Sequence, residues 1–140
     1  MQTSFTEKQL ENKDNKSSES ILRKCVHCGM CNATCPTYAI NGNELEGPRG
    51  RIYLIKDMLE NKKPANKKIA QHIDSCLSCY GCMTTCPSGV NYMHLIDHGR
   101  NHVEETYKRP FLDKLFRNIL SYTLPNPKIF LTLALLTKII

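Results

Sequence analysis

The sequence has no tryptophan, and aromatic residues fill only 7% of its 140 positions. An apolar core must therefore come from aliphatic side chains. It is thin, because eight of the residues counted as hydrophobic are cysteines. Long apolar runs are missing as well. The longest, Ile129 to Thr137, holds nine residues, half of the roughly 18 that a membrane-spanning helix needs. No segment shows a convincing period-two alternation, so no strand is predicted. There is no glycine-rich phosphate loop and no nucleophile paired with a base, which argues against substrate chemistry on this chain. No signal peptide opens the sequence.

What is abundant is cysteine, in one arrangement used twice. Cys25, Cys28, Cys31 and Cys35 run C-V-H-C-G-M-C-N-A-T-C-P, and Cys76, Cys79, Cys82 and Cys86 run C-L-S-C-Y-G-C-M-T-T-C-P. Both spell C-x2-C-x2-C-x3-C-P, at an offset of 51 residues, which marks an internal duplication. Bacterial ferredoxins hold 4Fe–4S clusters with this run. Cysteines at i, i+3 and i+6 on a tightly coiled backbone reach three irons of one cube. The turn into the Cys-Pro step sends the fourth away, and in two-cluster ferredoxins it ligates the other cluster. Cluster 1 is therefore expected on Cys25, Cys28, Cys31 and Cys86, and cluster 2 on Cys76, Cys79, Cys82 and Cys35. Such an exchange cross-links the two halves, so metal binding is also folding energy.

The residues around the cysteines suit this reading. Gly29 and Gly81 are expected to permit tight turns that bring backbone N–H groups to sulfide. Pro36 and Pro87 fix the backbone as it leaves each site, and Ile40 and Val90 are expected to shield the clusters from water. His27 can bond to a cluster sulfur and tune it. Zinc sites use two cysteine pairs with a longer gap, and disulfide scaffolds belong to secreted chains; neither matches. The oxidised 4Fe–4S core with four thiolates carries −2, so two of them bring the formal charge of +6 to about +2. Nucleic acid is not an expected partner. Lys56, Lys62, Lys63, Lys67 and Lys68 read as a solvated face rather than a docking patch. Labile clusters and free thiolates point to the reducing cytoplasm.

Along the chain, residues 1–17 are polar and read as a mobile arm or frayed helix. Ser18 or Ser20 is expected to cap a short helix through Ile21 and Leu22 into Cys25. Residues 36–50 read as a loop rich in turn formers. Helices are predicted over about 51–61, 66–75, 91–107, 111–122 and 128–140, with Pro64, Pro110, Pro125 and Pro127 as breaks. The fold class is thus all-α, an α-helical ferredoxin with two 4Fe–4S sites. An arm (1–17) precedes a two-cluster domain (18–108), and amphipathic helices (109–140) follow. His94, His98 and His102 share one helix face and read as polar surface beside Asp97, Arg100 and Asn101. Arg49 and Arg51 in G-P-R-G-R are candidates to pair with a carboxylate or with cluster charge. The stripe Phe111, Leu112, Leu115, Phe116, Ile119 and Leu120 reads as core or subunit interface rather than lipid contact.

The segments I-L-R-K-C-V-H-C-G-M-C-N-A-T-C-P-T-Y, G-N-E-L-E-G-P-R-G-R-I-Y-L-I-K-D-M-L-E and C-L-S-C-Y-G-C-M-T-T-C-P-S-G-V resemble the N-terminal part of the iron–sulfur subunit of glycolate oxidase (glycolate dehydrogenase). The likeness spans about residues 19–125. The cysteine runs are shared by many redox subunits, and G-P-R-G-R-I-Y-L-I-K narrows the match. More distantly the chain resembles the iron–sulfur subunits of anaerobic glycerol-3-phosphate dehydrogenase, lactate utilisation and succinate dehydrogenase. The resemblance implies a partner subunit that binds FAD and oxidises a 2-hydroxy acid such as glycolate. This chain would be the electron-transfer subunit, passing electrons through two 4Fe–4S clusters to a quinone-linked acceptor, with a peripheral place on the inner membrane face. It also implies a C-terminal region with two further cysteine-rich repeats. The chain ends at Ile140 without them, and is read as a truncation or fragment. The alternatives are a subunit of a lactate, glycerol-3-phosphate or heterodisulfide-reductase-like complex, a free-standing ferredoxin, and a structural or regulatory iron–sulfur adaptor.

Overall fold

A computed structural model describes residues 1–137, with the backbone alone for 136 and 137. Residues 138–140, the end of the last predicted helix, lie outside the described residues. Among the described residues the chain is all-helical. Its helices are α1 (Glu7–Leu10), α2 (Lys13–Lys24), α3 (Pro36–Asn41), α4 (Pro48–Asn61), α5 (Lys67–Asp74), α6 (Gly81–Thr84), α7 (Tyr92–Thr106), α8 (Phe111–Thr123) and α9 (Pro127–Thr137), with 3-10 turns at Met30–Asn32 and Glu44–Glu46. Two compact units divide the chain, Met1–Tyr107 and Lys108–Ile140. Among the described residues no helix is long and apolar enough to cross a membrane.

Helix α7 is the centre of the first unit and packs against α2, α4 and α5. The interior is aliphatic, as the lack of tryptophan requires. Leu22, Ile55, Met58, Ile73, Leu95, Ile96 and Val103 are fully buried. Ile55 and Met58 stand three apart in α4 and Ile96 and Val103 seven apart in α7, which gathers them on one face of each helix. Asparagine starts several helices. Asn12, Asn66 and Asn91 each accept a hydrogen bond from a first-turn amide of α2, α5 and α7, which satisfies a donor the helix itself cannot.

Two stretches differ from the sequence reading. Residues 36–50 are not simply a loop. Pro36 and Pro48 stand at the first positions of α3 and α4, where a fixed φ suits a helix start and the missing N–H costs nothing. Residues 1–17, read as a mobile arm or a frayed helix, are helical in part and bonded to the rest of the unit. They carry α1 and the start of α2, so the helix expected from Ser18 begins at Lys13 under Asn12. Gln9 is buried and donates from Nε2 to the carbonyls of Leu59 and Glu60, each at 3.0 Å. Those carbonyls end α4 and lack partners within it. Ser4 N–H donates to Glu60 at 2.7 Å and Thr3 to Glu19 at 2.8 Å. Met1 and Phe5 pack on the core.

In the second unit, α8 and α9 pack on each other. The expected stripe of α8 is present, but Phe111, Leu112, Phe116 and Leu120 are exposed.

Gly99 of α7 lies against α4. A Cβ there would sit 2.7 Å from Ile55 Cγ1, inside the core, so α4 and α7 approach as closely as they do because this residue has no side chain. Gly99→Ala should lower the anaerobic urea-unfolding midpoint by the equivalent of about 1–3 kcal/mol through overpacking. Ile55→Ala should make the two changes less than additive.

Candidate metal centre

The two cysteine runs fold alike. His27 and Ser78 are both left-handed, at φ 59° and 53°, and so are Gly29 and Tyr80, at 84° and 55°. Each pair stands 51 residues apart, so the duplication in sequence is a duplication of backbone. The turn expected at Gly81 is made one residue earlier by Tyr80. Gly81 opens α6, and a Cβ on it would meet only the Thr34 carbonyl, at 3.8 Å.

Folding brings the cysteines together in two sets. Cys25, Cys28, Cys31 and Cys86 line one cavity of about 440 Å3, partly open to solvent. Cys35, Cys76, Cys79 and Cys82 line another of about 300 Å3. Pro48, Cys82 and Tyr92 belong to the walls of both, so the cavities adjoin. Cys28 and Cys79 are the exposed members; Cys25, Cys35 and Cys82 are buried. Val90 joins the wall of the first cavity, as expected, whereas Ile40 is 83% exposed and shields nothing.

The chemistry of this donor set fits iron–sulfur clusters. All eight thiols are free, so no disulfide competes. Among the described residues, no three Cys, His, Asp or Glu side chains converge on a single ion, as a zinc site would require. A cubane instead takes one thiolate at each of four corners, spread around a cavity wall. Crowding raises the cost of charge. Burial, then the charge of Cys31 and Cys76, pushes the Cys82 thiol up to about 12. Burial, then Cys25, does the same in direction to Cys31. Cations between the sulfurs remove that cost, and binding them expels protons.

Cys35 differs. Burial pushes its thiol up, but the Thr37 hydroxyl, the Tyr38 amide and Arg51 outweigh this and hold it below the ordinary range. Arg51 is fully buried. It donates from Nε to the His72 carbonyl at 2.7 Å, and from Nη2 to Glu46 Oε2 at 3.0 Å, Ser75 at 2.9 Å and Thr37 at 3.1 Å. Its Nη1 lies 3.9 Å from Cys35 Sγ. Arg49, the other arginine of the motif, pairs at the surface with Glu44. At the first cavity, His27 Nδ1 is 3.6 Å from Cys25 Sγ. Burial, then the charge of Arg49, lowers the basicity of that imidazole.

Residues 21–90 match the 4Fe-4S dicluster domain family. The chain belongs to that family. The dicluster chain is similar to the "Glycolate oxidase iron-sulfur subunit" of Escherichia coli (strain K12), 51% identical over 130 residues, 93% of this chain and 32% of that one. It is similar to the "Probable glycolate oxidase iron-sulfur subunit" of Bacillus subtilis (strain 168), 32% identical over 84% of this chain and 27% of that one. A more distant relative is the succinate dehydrogenase iron-sulfur subunit of Paracoccus denitrificans, 28% identical over 50% of this chain and 29% of that one. The dicluster chain thus spans about a third of the length of these relatives. No solved structure matches it.

The histidines of α7 stay away from both cavities. His98 Nδ1 pairs with Ser18 Oγ at 2.7 Å and His102 Nε2 with the Lys63 carbonyl at 2.8 Å, tying α7 to its neighbours. Sequence reasoning missed three residues that matter more. Arg100 donates to the Cys76 carbonyl at 2.6 Å and to Ser78 Oγ at 2.7 Å, clamping the second cysteine loop. The Tyr92 hydroxyl lies 3.7 Å from Cys76 Sγ. Burial, then the Cys76 charge, pushes that phenol up strongly, so it remains a donor. Glu46 balances Arg51 in the interior, and removing one member of such a pair costs about 3–5 kcal/mol.

Grouping the cysteines by cavity gives an ordered prediction. Cys25→Ser, Cys86→Ser and the double variant should each drop iron from about eight to about four atoms per chain. Cys25→Ser combined with Cys35→Ser should remove nearly all of it. Iron and sulfide analysis after anaerobic purification reads the result. A cluster surviving in the second pair would reject the grouping.

Proposed function

We propose that the chain is the electron-transfer part of a flavin-dependent 2-hydroxy-acid dehydrogenase, with glycolate as the expected substrate. The observation that carries this is the pair of adjoining cavities that all eight cysteines line between them, each with one cysteine at the surface. Cys25, Cys28, Cys31 and Cys86 would hold one cluster, and Cys76, Cys79, Cys82 and Cys35 the other. Each bound cluster supplies one-electron carriage, whereas a flavin collects two electrons from its substrate as a hydride. Two carriers side by side therefore suit FAD in a partner subunit and a quinone-linked acceptor beyond. The likeness to the Escherichia coli subunit supports the choice of glycolate.

This chain's own residues would bind, shield and tune. Ile52, Val90 and Tyr92 wall the first cavity with apolar surface. Cys28 and Cys79, being exposed, mark where electrons enter and leave. Substrate oxidation belongs to the partner. Membrane association, if present in the complex, would be peripheral at its inner face.

The test is to purify the chain anaerobically with its flavoprotein partner, add glycolate, and record low-temperature electron paramagnetic resonance. Reduced-cluster signals should grow within the turnover time of the flavin. Signals with dithionite but none with glycolate, in a complex whose flavin is reduced, would remove the electron-transfer assignment for this substrate.

A further inference from the structure

The second cavity is served by a buried guanidinium that reaches one of its sulfurs, and among the described residues the first cavity has no counterpart of it. Helices α4 and α7 follow Cys35 and Cys86 in their respective repeats. Their first residues, Pro48 and Tyr92, both stand between the cavities. The fourth residue of α4 is Arg51 and that of α7 is Leu95. Both are buried, at 1% and 0% exposed. One repeat thus places a guanidinium where the other places an aliphatic chain.

We propose that Arg51 makes the two clusters unequal in reduction potential, holding the one on Cys35, Cys76, Cys79 and Cys82 above the other. This rests on the iron–sulfur reading given above. Reduction adds one electron to a cluster and one unit of negative charge. A nearby cation and a hydrogen bond to a ligating sulfur both favour the more negative state.

The geometry supplies both at Cys35. Thr37 touches Cys35 Sγ at 3.2 Å, but its hydroxyl donates to the Glu46 carbonyl at 2.6 Å. That leaves Arg51 Nη1 as the charged donor to the thiolate. Glu46 is held at Nη2 and Nε is spent on the His72 carbonyl, so Nη1 is the nitrogen that reaches the sulfur. Both partners of the pair are buried, where charge is weakly screened.

At the first cavity the charges stand differently: the Met1 ammonium donates to the Arg23 and Cys25 carbonyls, at 3.1 and 2.5 Å, rather than to a sulfur. Arg49 reaches its wall, but its side chain is 34% exposed and paired with Glu44 at 43%. Water screens such a pair. His27 presents its Nδ1 3.6 Å from Cys25 Sγ, a ring nitrogen in place of a guanidinium.

The experiment is a potentiometric titration of the iron-loaded 140-residue chain with dithionite, followed by electron paramagnetic resonance. Wild type should show two separated midpoints. The cluster that remains in Cys25→Ser should titrate at the higher one. Arg51→Met with Glu46→Gln, which removes both buried charges together, should lower the higher midpoint and leave the lower in place. Arg51→Lys should restore most of the gap. Coincident midpoints in wild type, or a variant that moves both midpoints or only the lower, would overturn the proposal. Should the double variant hold no iron, Arg51→Gln decides in its place: its higher midpoint should fall toward the lower one, and an unshifted midpoint overturns the proposal. A wild-type chain without iron sinks the iron–sulfur reading and this proposal together; an iron-loaded chain with equal midpoints sinks this one alone.

Discussion

Eight sulfur atoms line two adjoining cavities, and thiolates set so close repel one another unless cations lie between them. The pressure is visible in Cys31 and Cys82, whose protons are held by burial and by neighbouring sulfur charge. Iron relieves it, and the rest of the first unit is arranged to let it do so. α2 and α5 deliver the chain to Cys25 and Cys76. α4 and α7 close the walls from behind. A core of aliphatic residues with no tryptophan is small for this task, and metal binding supplies folding energy that packing alone would not.

The polar interior is organised around the same sulfurs. Arg51 links α4 to the carbonyl end of α5, to Glu46 before α4, and to the first turn of α3 after Cys35. Arg100 links α7 to the loop after Cys76. Each cysteine run is therefore held from outside by an arginine of a helix packed behind it, but at different points. Arg51 reaches a sulfur, whereas Arg100 holds backbone and a serine. The duplication fixes the shape of the two loops, and the arginines make the two halves chemically distinct.

Much of this was legible in the residues. The all-helical class followed from the 3.6-residue periodicity of α4, α5, α7 and α8, and the family followed from two cysteine runs and G-P-R-G-R. All eight cysteines line two adjoining cavities, with Cys82 in the wall of both. Other features could not be read. Gly81 looked like the turn residue because glycine usually takes positive φ, yet Tyr80 takes it, since the duplication dictates the backbone there. Ile40 looked like a shield because it follows a cysteine closely, but α3 turns it outward. The first seventeen residues looked unattached because they are polar. What holds them is Gln9, which satisfies carbonyls fifty residues away. Tyr92 and Arg100 meet the Cys76 loop from sixteen and more residues along the chain, and no local pattern marks such contacts.

The central claim is that this chain holds two 4Fe–4S clusters and that they complete its first unit. Native mass spectrometry of the anaerobically prepared protein tests it most directly. The account predicts a folded species heavier than the bare chain by two Fe4S4 units, roughly 700 Da. A compact chain carrying only zinc, or no metal at all, would contradict it.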